Sequence, residues 1–315
     1  MLPSAASCAF LFPGQGSQCV GMGKMLAEAF PTAKETFAQA DEILGFPLSR
    51  LMWEGPEDSL NDTVNTQPAL MVHSIAALRV FWERYPDFLP AYLAGHSLGE
   101  LSALVPAAAL PFRETLQLVR KRGELMKAAG EKSPGGMAAI LGLDISTLEK
   151  ICAEASTENE KVQIANDNCP GQVVISGARP ALERALQRAR EAGARRAVPL
   201  AVSIAGHSSL MEHVQADLNR AIAAAPIANP HLPIIGNVSA IPLTDAAQIR
   251  ADLQAQLNSR VRWTASIQYL LPHGITTFFE LGSGSVLSGL LKRINPTAVG
   301  IALGNPEDFD KLDRV

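Results

Sequence analysis

The decapeptide AYLAGHSLGE, residues 91–100, restricts this chain more than any other stretch. An apolar run meets a serine, Ser97, set between Gly95 and Gly99, and a helical pattern follows at once. G-x-S-x-G on a strand-to-helix corner is what a nucleophile elbow requires, with the hydroxyl above the sheet edge and near the positive end of the next helix. Glycines two residues either side of the serine let strand and helix approach closely. The competing reading is a tight turn in which the serine only caps the helix. The pentapeptide alone does not decide between them, but its setting points to a layered α/β fold.

The rest of the chain extends that pattern. CAFLFPG reads as a short buried strand ending in a turn, and residues 22–44 carry helical spacing. PALMVHSIAALRVFWERY reads as a buried helix opened by Pro68, and PFRETLQLVRKRGELMKAAG as a helix between Pro111 and Gly130. From about 135 to 204 the order becomes strand, helix, strand, strand, helix, strand, the ferredoxin-like split βαβ. Its last strand is read over RRAVPLAVS. The expected fold is therefore a large α/β-hydrolase-like body with a mostly parallel sheet, spanning 1–134 and 205–315. A ferredoxin-like small subdomain, 135–204, is inserted in it.

Bulk properties narrow the function. A length of 315 residues suffices for a substantial core, and the net charge of −4 argues against a general nucleic-acid binder. Cys8, Cys19, Cys152 and Cys169 show no metal-binding spacing and read as reduced thiols. The apolar N-terminus has no basic leader, and no apolar run reaches membrane-spanning length. A cytoplasmic protein without membrane, metal or redox cofactor is expected.

A serine nucleophile needs a base within hydrogen-bond reach. Among six histidines, His207 in VSIAGHSSLM is read as closing a strand and opening a helix, at the same kind of sheet edge as Ser97. His96 adjoins Ser97, and neighbouring side chains of a strand point to opposite faces, so it is badly placed as the base. FPGQGSQ, residues 12–18, is a glycine-rich turn whose N–H groups suit an oxyanion or a phosphate, or serve an ordinary connection. It is neither a dinucleotide fingerprint nor a Walker loop.

FPGQGSQ, TQPAL, GHSLGE, an Arg-Gly pair 25 residues after the serine, PGQVVISG and a histidine followed by SSLM occur in one order. The combination, from about residue 9 to 305, resembles the malonyl-CoA:acyl carrier protein transacylases and the acyltransferases of polyketide synthases. RVRWTASIQYL and FFELGSGSVLSGLLKRI look most like the free-standing acyltransferases that load polyketide assembly lines in trans. The resemblance implies an acyl ester on Ser97, with His207 as base and the N–H groups of Gln15 and Leu98 as oxyanion hole. It makes Arg122 the partner of the malonyl carboxylate and lines the site with Gln67, Asn166 and Asn168. For each Asn a turn residue is the alternative. The base is oriented by a backbone carbonyl, here expected near His273, and not by a third carboxylate. The substrates implied are an acyl-CoA and the phosphopantetheine thiol of an acyl carrier protein.

Gly206 departs from the bulky residue that malonyl-selective polyketide enzymes often carry before the base. Room for methyl- or ethylmalonyl is expected from it, although housekeeping malonyl transacylases also carry a small residue there. A housekeeping fatty-acid malonyl transacylase is the alternative within the family, and three rivals stand outside it: an acyl hydrolase of the same fold, a non-catalytic docking subunit and an α/β-hydrolase esterase. Arg122 speaks against the first, and the joint presence of Ser97, His207 and GQGSQ against the second. Against the third, no acid stands out in the required chain order. An acidic carrier protein predicts a basic rim, for which Arg195, Arg196, Arg260, Arg262, Lys292 and Arg293 are candidates.

Overall fold

The five residues Cys8–Phe12 are apolar without interruption and all buried, as a strand covered on both faces must be. This strand, β1, lies inside a sheet completed by β2 (Tyr92–Gly95), two-residue β7 (Ile234–Ile235) and β8 (Pro242–Leu243), β9 (Thr277–Leu281) and β10 (Val299–Leu303). Its order is β10-β9-β1-β2-β7-β8, and every pairing is parallel except β7 with β8. The chain is seen in a computed structural model that describes residues 2–202 and 204–313.

The second sheet contains β3 (Gly135–Leu141), β4 (Val162–Cys169), β5 (Gln172–Ala178) and β6 (Arg196–Pro199), in the order β4-β5-β3-β6 and antiparallel throughout. Helices Ile145–Ala155 and Arg179–Glu191 bury their apolar stripes against it in a core of its own. The architecture is thus a mixed α/β fold with a mostly parallel sheet and a separate antiparallel one. The strand expected over RRAVPLAVS ends at Pro199, so the chain leaves the sheet before it reaches His207.

One face of the parallel sheet carries an aromatic cluster, in which Phe10 meets Phe81, Phe88 and Phe279 at centroid distances of 5.1, 6.1 and 5.9 Å. Phe81 belongs to the long helix Thr63–Arg84. That helix is capped by Asp62, whose side chain accepts from the Val64 N–H, and it is not opened by Pro68. Pro68 lies within it and cannot donate to the Val64 carbonyl one turn earlier. Arg120, from helix Phe112–Lys132, donates to that carbonyl at 3.0 Å and restores the lost bond.

Candidate active site

β1 and β2 run side by side, and the loops leaving their carboxyl ends form one wall of a cleft. Ser97 sits between β2 and helix Leu98–Ala103 with φ 52° and ψ −106°. Such a backbone costs a non-glycine residue about 1–3 kcal/mol and persists only where its surroundings enforce it. Here they do. A Cβ on Gly95 would lie 1.9 Å from the carbonyl carbon of Gly99, and one on Gly99 would lie 2.0 Å from the Phe12 oxygen. Asn237 clamps the corner from outside. Its Oδ1 accepts from the Ser97 N–H at 2.6 Å, and its Nδ2 donates to the Gly95 carbonyl at 2.7 Å. The elbow reading is therefore met in geometry, and the serine makes no capping hydrogen bond to the helix.

His207 Nε2 is 2.8 Å from the Ser97 Oγ. Its Nδ1–H donates to the main-chain carbonyl of Gln256 at 2.9 Å, which leaves Nε2 free to accept the serine proton. Burial, helped by the nearby Arg122 charge, pushes the imidazole pKa down to about 3, so the ring is neutral at ordinary pH. The orienting carbonyl does not come from the His273 region. His273 bonds to the Tyr269 carbonyl and stacks on the Tyr269 ring. Gln256 closes helix Ala246–Gln256, where the last carbonyls have no partner inside the helix and stand free to accept. His207 itself lies outside regular structure, at φ 58°, and Ser203 of the preceding segment lies outside the described residues.

Arg122 reaches the same point from helix Phe112–Lys132. It is 3% exposed, and its Nη2 donates to the Ser97 Oγ at 3.1 Å and to Gln256 Oε1 at 2.8 Å, while Nη1 donates to Gln67 Oε1 at 2.6 Å. The following glycine explains the Arg-Gly pair. A Cβ on Gly123 would lie 2.9 Å from the Thr63 carbonyl oxygen, so only glycine lets the two long helices close enough for Arg122 to meet Gln67. Burial lowers the guanidinium pKa to about 10, which leaves it charged at neutral pH. Its two side-chain amide acceptors are neutral, so the charge is bonded but not neutralised.

The cleft has a volume of about 440 Å³ and is lined by Gln15, Ser97, Leu98, Arg122, Gly206 and His207, among others. The N–H groups of Gln15 and Leu98 donate to no acceptor among the described residues, as an oxyanion site requires. Asn166 and Asn168 also line it, but from strand β4 and not from a turn. Asn168 Oδ1 lies 2.8 Å from His96 Nε2, and the Asn166 Oδ1 is buried without a partner among the described residues. Gly206 faces Met126: a Cβ there would stand 3.3 Å from the Met126 methyl carbon. Gln67 lies one layer back, donating to Thr63 Oγ1 at 2.8 Å and to the Met126 sulfur at 3.2 Å. Among the described residues no cluster of His, Cys, Asp or Glu is arranged for a metal ion.

The residues singled out from sequence thus converge, except that Gln67 acts behind Arg122. Sequence reasoning missed Asn237 and Gln256. A polar residue just beyond a buried strand, in IIGNVSA, was a signal for the first. Nothing local marks Gln256.

An acyl transferase domain model matches residues 9–295. Malonyl CoA-acyl carrier protein transacylase of Bacillus subtilis (strain 168) is 48% identical over 302 residues, 96% of this chain and 95% of the relative. Among solved structures, an acyl carrier protein S-malonyltransferase from Vibrio cholerae is 43% identical, with a TM-score of 0.93 over 97% of this chain and 99% of that one. A malonyl-transacylase solved in complex with a type II polyketide acyl-carrier protein is 40% identical, with a TM-score of 0.94 over 98% and 100% of the two chains.

Proposed function

This chain belongs to the acyl transferase domain family, and from that premise we propose that it moves a malonyl group from malonyl-CoA to the phosphopantetheine thiol of an acyl carrier protein through an ester on Ser97. One observation carries the reading. A hydroxyl, a neutral imidazole 2.8 Å from it and a buried charged guanidinium 3.1 Å from it meet at one point. Nucleophile and base serve any acyl transfer; the third group selects. A guanidinium so near the reacting oxygen matches a diacid with one carbon between its carbonyls, as malonyl has. Burying that second carboxylate unpaired would cost several kcal/mol, and the arginine fork supplies its partner. It also weighs against the simple hydrolase.

The steps follow from the geometry. As Ser97 Oγ attacks the thioester carbonyl, His207 Nε2 takes its proton, and the Gln15 and Leu98 N–H groups receive the oxyanion. The tetrahedral adduct collapses, the C–S bond breaks, and His207 returns the proton to the departing CoA thiolate. The carrier thiol then enters, gives its proton to His207 and attacks the ester. The second adduct expels the Ser97 alkoxide, which takes the proton back. No metal or redox step is needed.

The substrate is malonyl in preference to its C2-substituted forms. Gly206 and Met126 line the cleft together, and the Met126 methyl stands 3.3 Å from where a Cβ on Gly206 would lie, which narrows the space that the missing side chain opens. The names of the relatives support a general malonyl transacylase. Supply of a polyketide carrier in trans is a second reading, favoured by the polyketide complex at 40% identity. Intact mass after mixing with malonyl-, methylmalonyl- and acetyl-CoA tests this: a single malonyl adduct is expected, and a preferred methylmalonyl adduct would overturn the choice. Transfer from the loaded enzyme to fatty-acid and polyketide carriers separates the two pathways. Arg195, Arg196, Arg262, Lys292 and Arg293 are exposed and Arg260 is half-buried against Glu149, so the first five are free to meet an acidic carrier.

A further inference from the structure

Gln256 touches each of the three convergent groups. Its main-chain carbonyl accepts from His207, its Oε1 accepts from Arg122 at 2.8 Å, and its Nε2 donates to the Ser97 carbonyl at 3.0 Å. A side-chain amide is nearly symmetric in shape, so something must decide which end faces the arginine. Had it turned over, two N–H donors would face a guanidinium that is itself only a donor. The remaining contact of Nε2 is the Glu100 Oε2 at 2.6 Å. Glu100 ends the GHSLGE sequence, lies on the elbow helix and is 1% exposed, although nothing in the transfer steps uses it.

We propose that Glu100 is a positioning residue for recognition of the substrate carboxylate: it locks the Gln256 amide with its oxygen toward Arg122 and so aims the guanidinium at the acyl group on Ser97. The inference rests on the reading that Arg122 holds the malonyl carboxylate. Two further features fit the role. Glu100 stands one residue away from the arginine, so Arg122 is met by amide oxygens and keeps its charge for the substrate. Burial first, and the neighbouring Asp252 second, raise the Glu100 carboxyl well above the usual range, which weakens its competition for that charge. Its Oε1 has no partner among the described residues. Asp252 is itself held by the N–H groups of Val238 and Ser239, at 3.0 Å each.

The test compares Glu100→Leu, Glu100→Gln and Gln256→Met, using initial rates of Ser97 loading by malonyl-CoA and by acetyl-CoA. Gln keeps an acceptor of the same size, and Met at 256 removes the amide while leaving the main-chain carbonyl to His207. Glu100→Leu is expected to raise KM for malonyl-CoA about tenfold, the weight of one charge-assisted hydrogen bond, with little change for acetyl-CoA, and Gln256→Met to cost malonyl-CoA the same factor over and above a loss common to both substrates, because the Ser97 carbonyl also loses a donor. Glu100→Gln is expected to restore the malonyl preference, and the Leu/Met double variant to lose no more than Gln256→Met alone. Equal losses on both substrates, or additive losses in the double variant, would overturn the proposal in favour of a packing role. If Glu100→Leu does not fold, Gln256→Met and Glu100→Gln still decide it. Wild-type protein that never loads malonyl would instead remove the underlying reading.

Discussion

Two turns deliver the reacting atoms, and they are built in opposite ways. The Ser97 turn is enforced mostly by its own sequence neighbours: Gly95 and Gly99 touch backbone to backbone, and no larger residue fits at either. The His207 turn lacks glycine packing of that kind, and locally the Ser208 hydroxyl bridges it by donating to the Ala205 carbonyl at 2.6 Å. Both residues hold a positive φ, 52° and 58°, yet His207 is fixed by groups distant in sequence. Gln256 accepts from its ring, Gln163 donates to its carbonyl, and Ser97 meets its Nε2. A strained conformation can be encoded chiefly where it occurs or imposed chiefly from elsewhere, and the first is the easier to read from local spacing.

The sharpest way to break the comparison is at the nucleophile. Ser97→Ala is expected to abolish the malonyl adduct in intact mass and to cut transfer by about 10⁴-fold or more. A persisting adduct would place the nucleophile elsewhere. Next comes the local device. Gly95→Ala should destabilise the protein by on the order of 3 kcal/mol in urea unfolding, because the new Cβ cannot coexist with Gly99. A change below about 0.5 kcal/mol, the level of ordinary surface substitutions, would show that the elbow is not held by glycine contact. Third, Arg122→Ala should lower kcat/KM for malonyl-CoA by about 2–5 kcal/mol of transition-state binding and leave acetyl-CoA nearly untouched.

The imposed turn has a pH signature. Burial and Arg122 hold the His207 pKa near 3, below its ordinary value, so the base is already deprotonated at neutral pH and loses competence only on acidification. The acid limb of kcat/KM for loading should therefore lie well below about pH 6.5, the unperturbed histidine value. Arg122→Gln should move that limb upward, because a neighbouring positive charge disfavours imidazolium. A limb that stays put would show that burial alone sets the ring. Smallest of all is Gly206→Ala. Its Cβ would press on the Met126 methyl at 3.3 Å, and a flexible side chain can yield, so malonyl loading should change by only about twofold.

How much was legible follows the same division. Buried strands such as Cys8–Phe12 declare themselves by unbroken apolar runs, and the split βαβ order of the second sheet by alternating periods. Pro68 misled because its effect on the helix depends on Arg120, a residue 52 positions away that replaces the lost donor. The strand drawn into VSIAGH failed because an apolar run of that length reads alike in a strand and in an extended connection. The resemblance implied an orienting carbonyl at the end of the helix before a late strand, which pointed to the His273 region, while the carbonyl that faces His207 ends the preceding helix, Ala246–Gln256.

By itself the sequence determined the layered α/β fold and the glycine-locked corner under Ser97. Each depends on contacts between residues near in the chain, or on a side-chain type that admits no substitute. Only the tertiary structure decided which carbonyl faces the His207 ring, which acid meets the Gln256 amide and which side chain stands beside Gly206. Those are choices among chemically similar groups, and position in three dimensions, which no local pattern records, is what separates them.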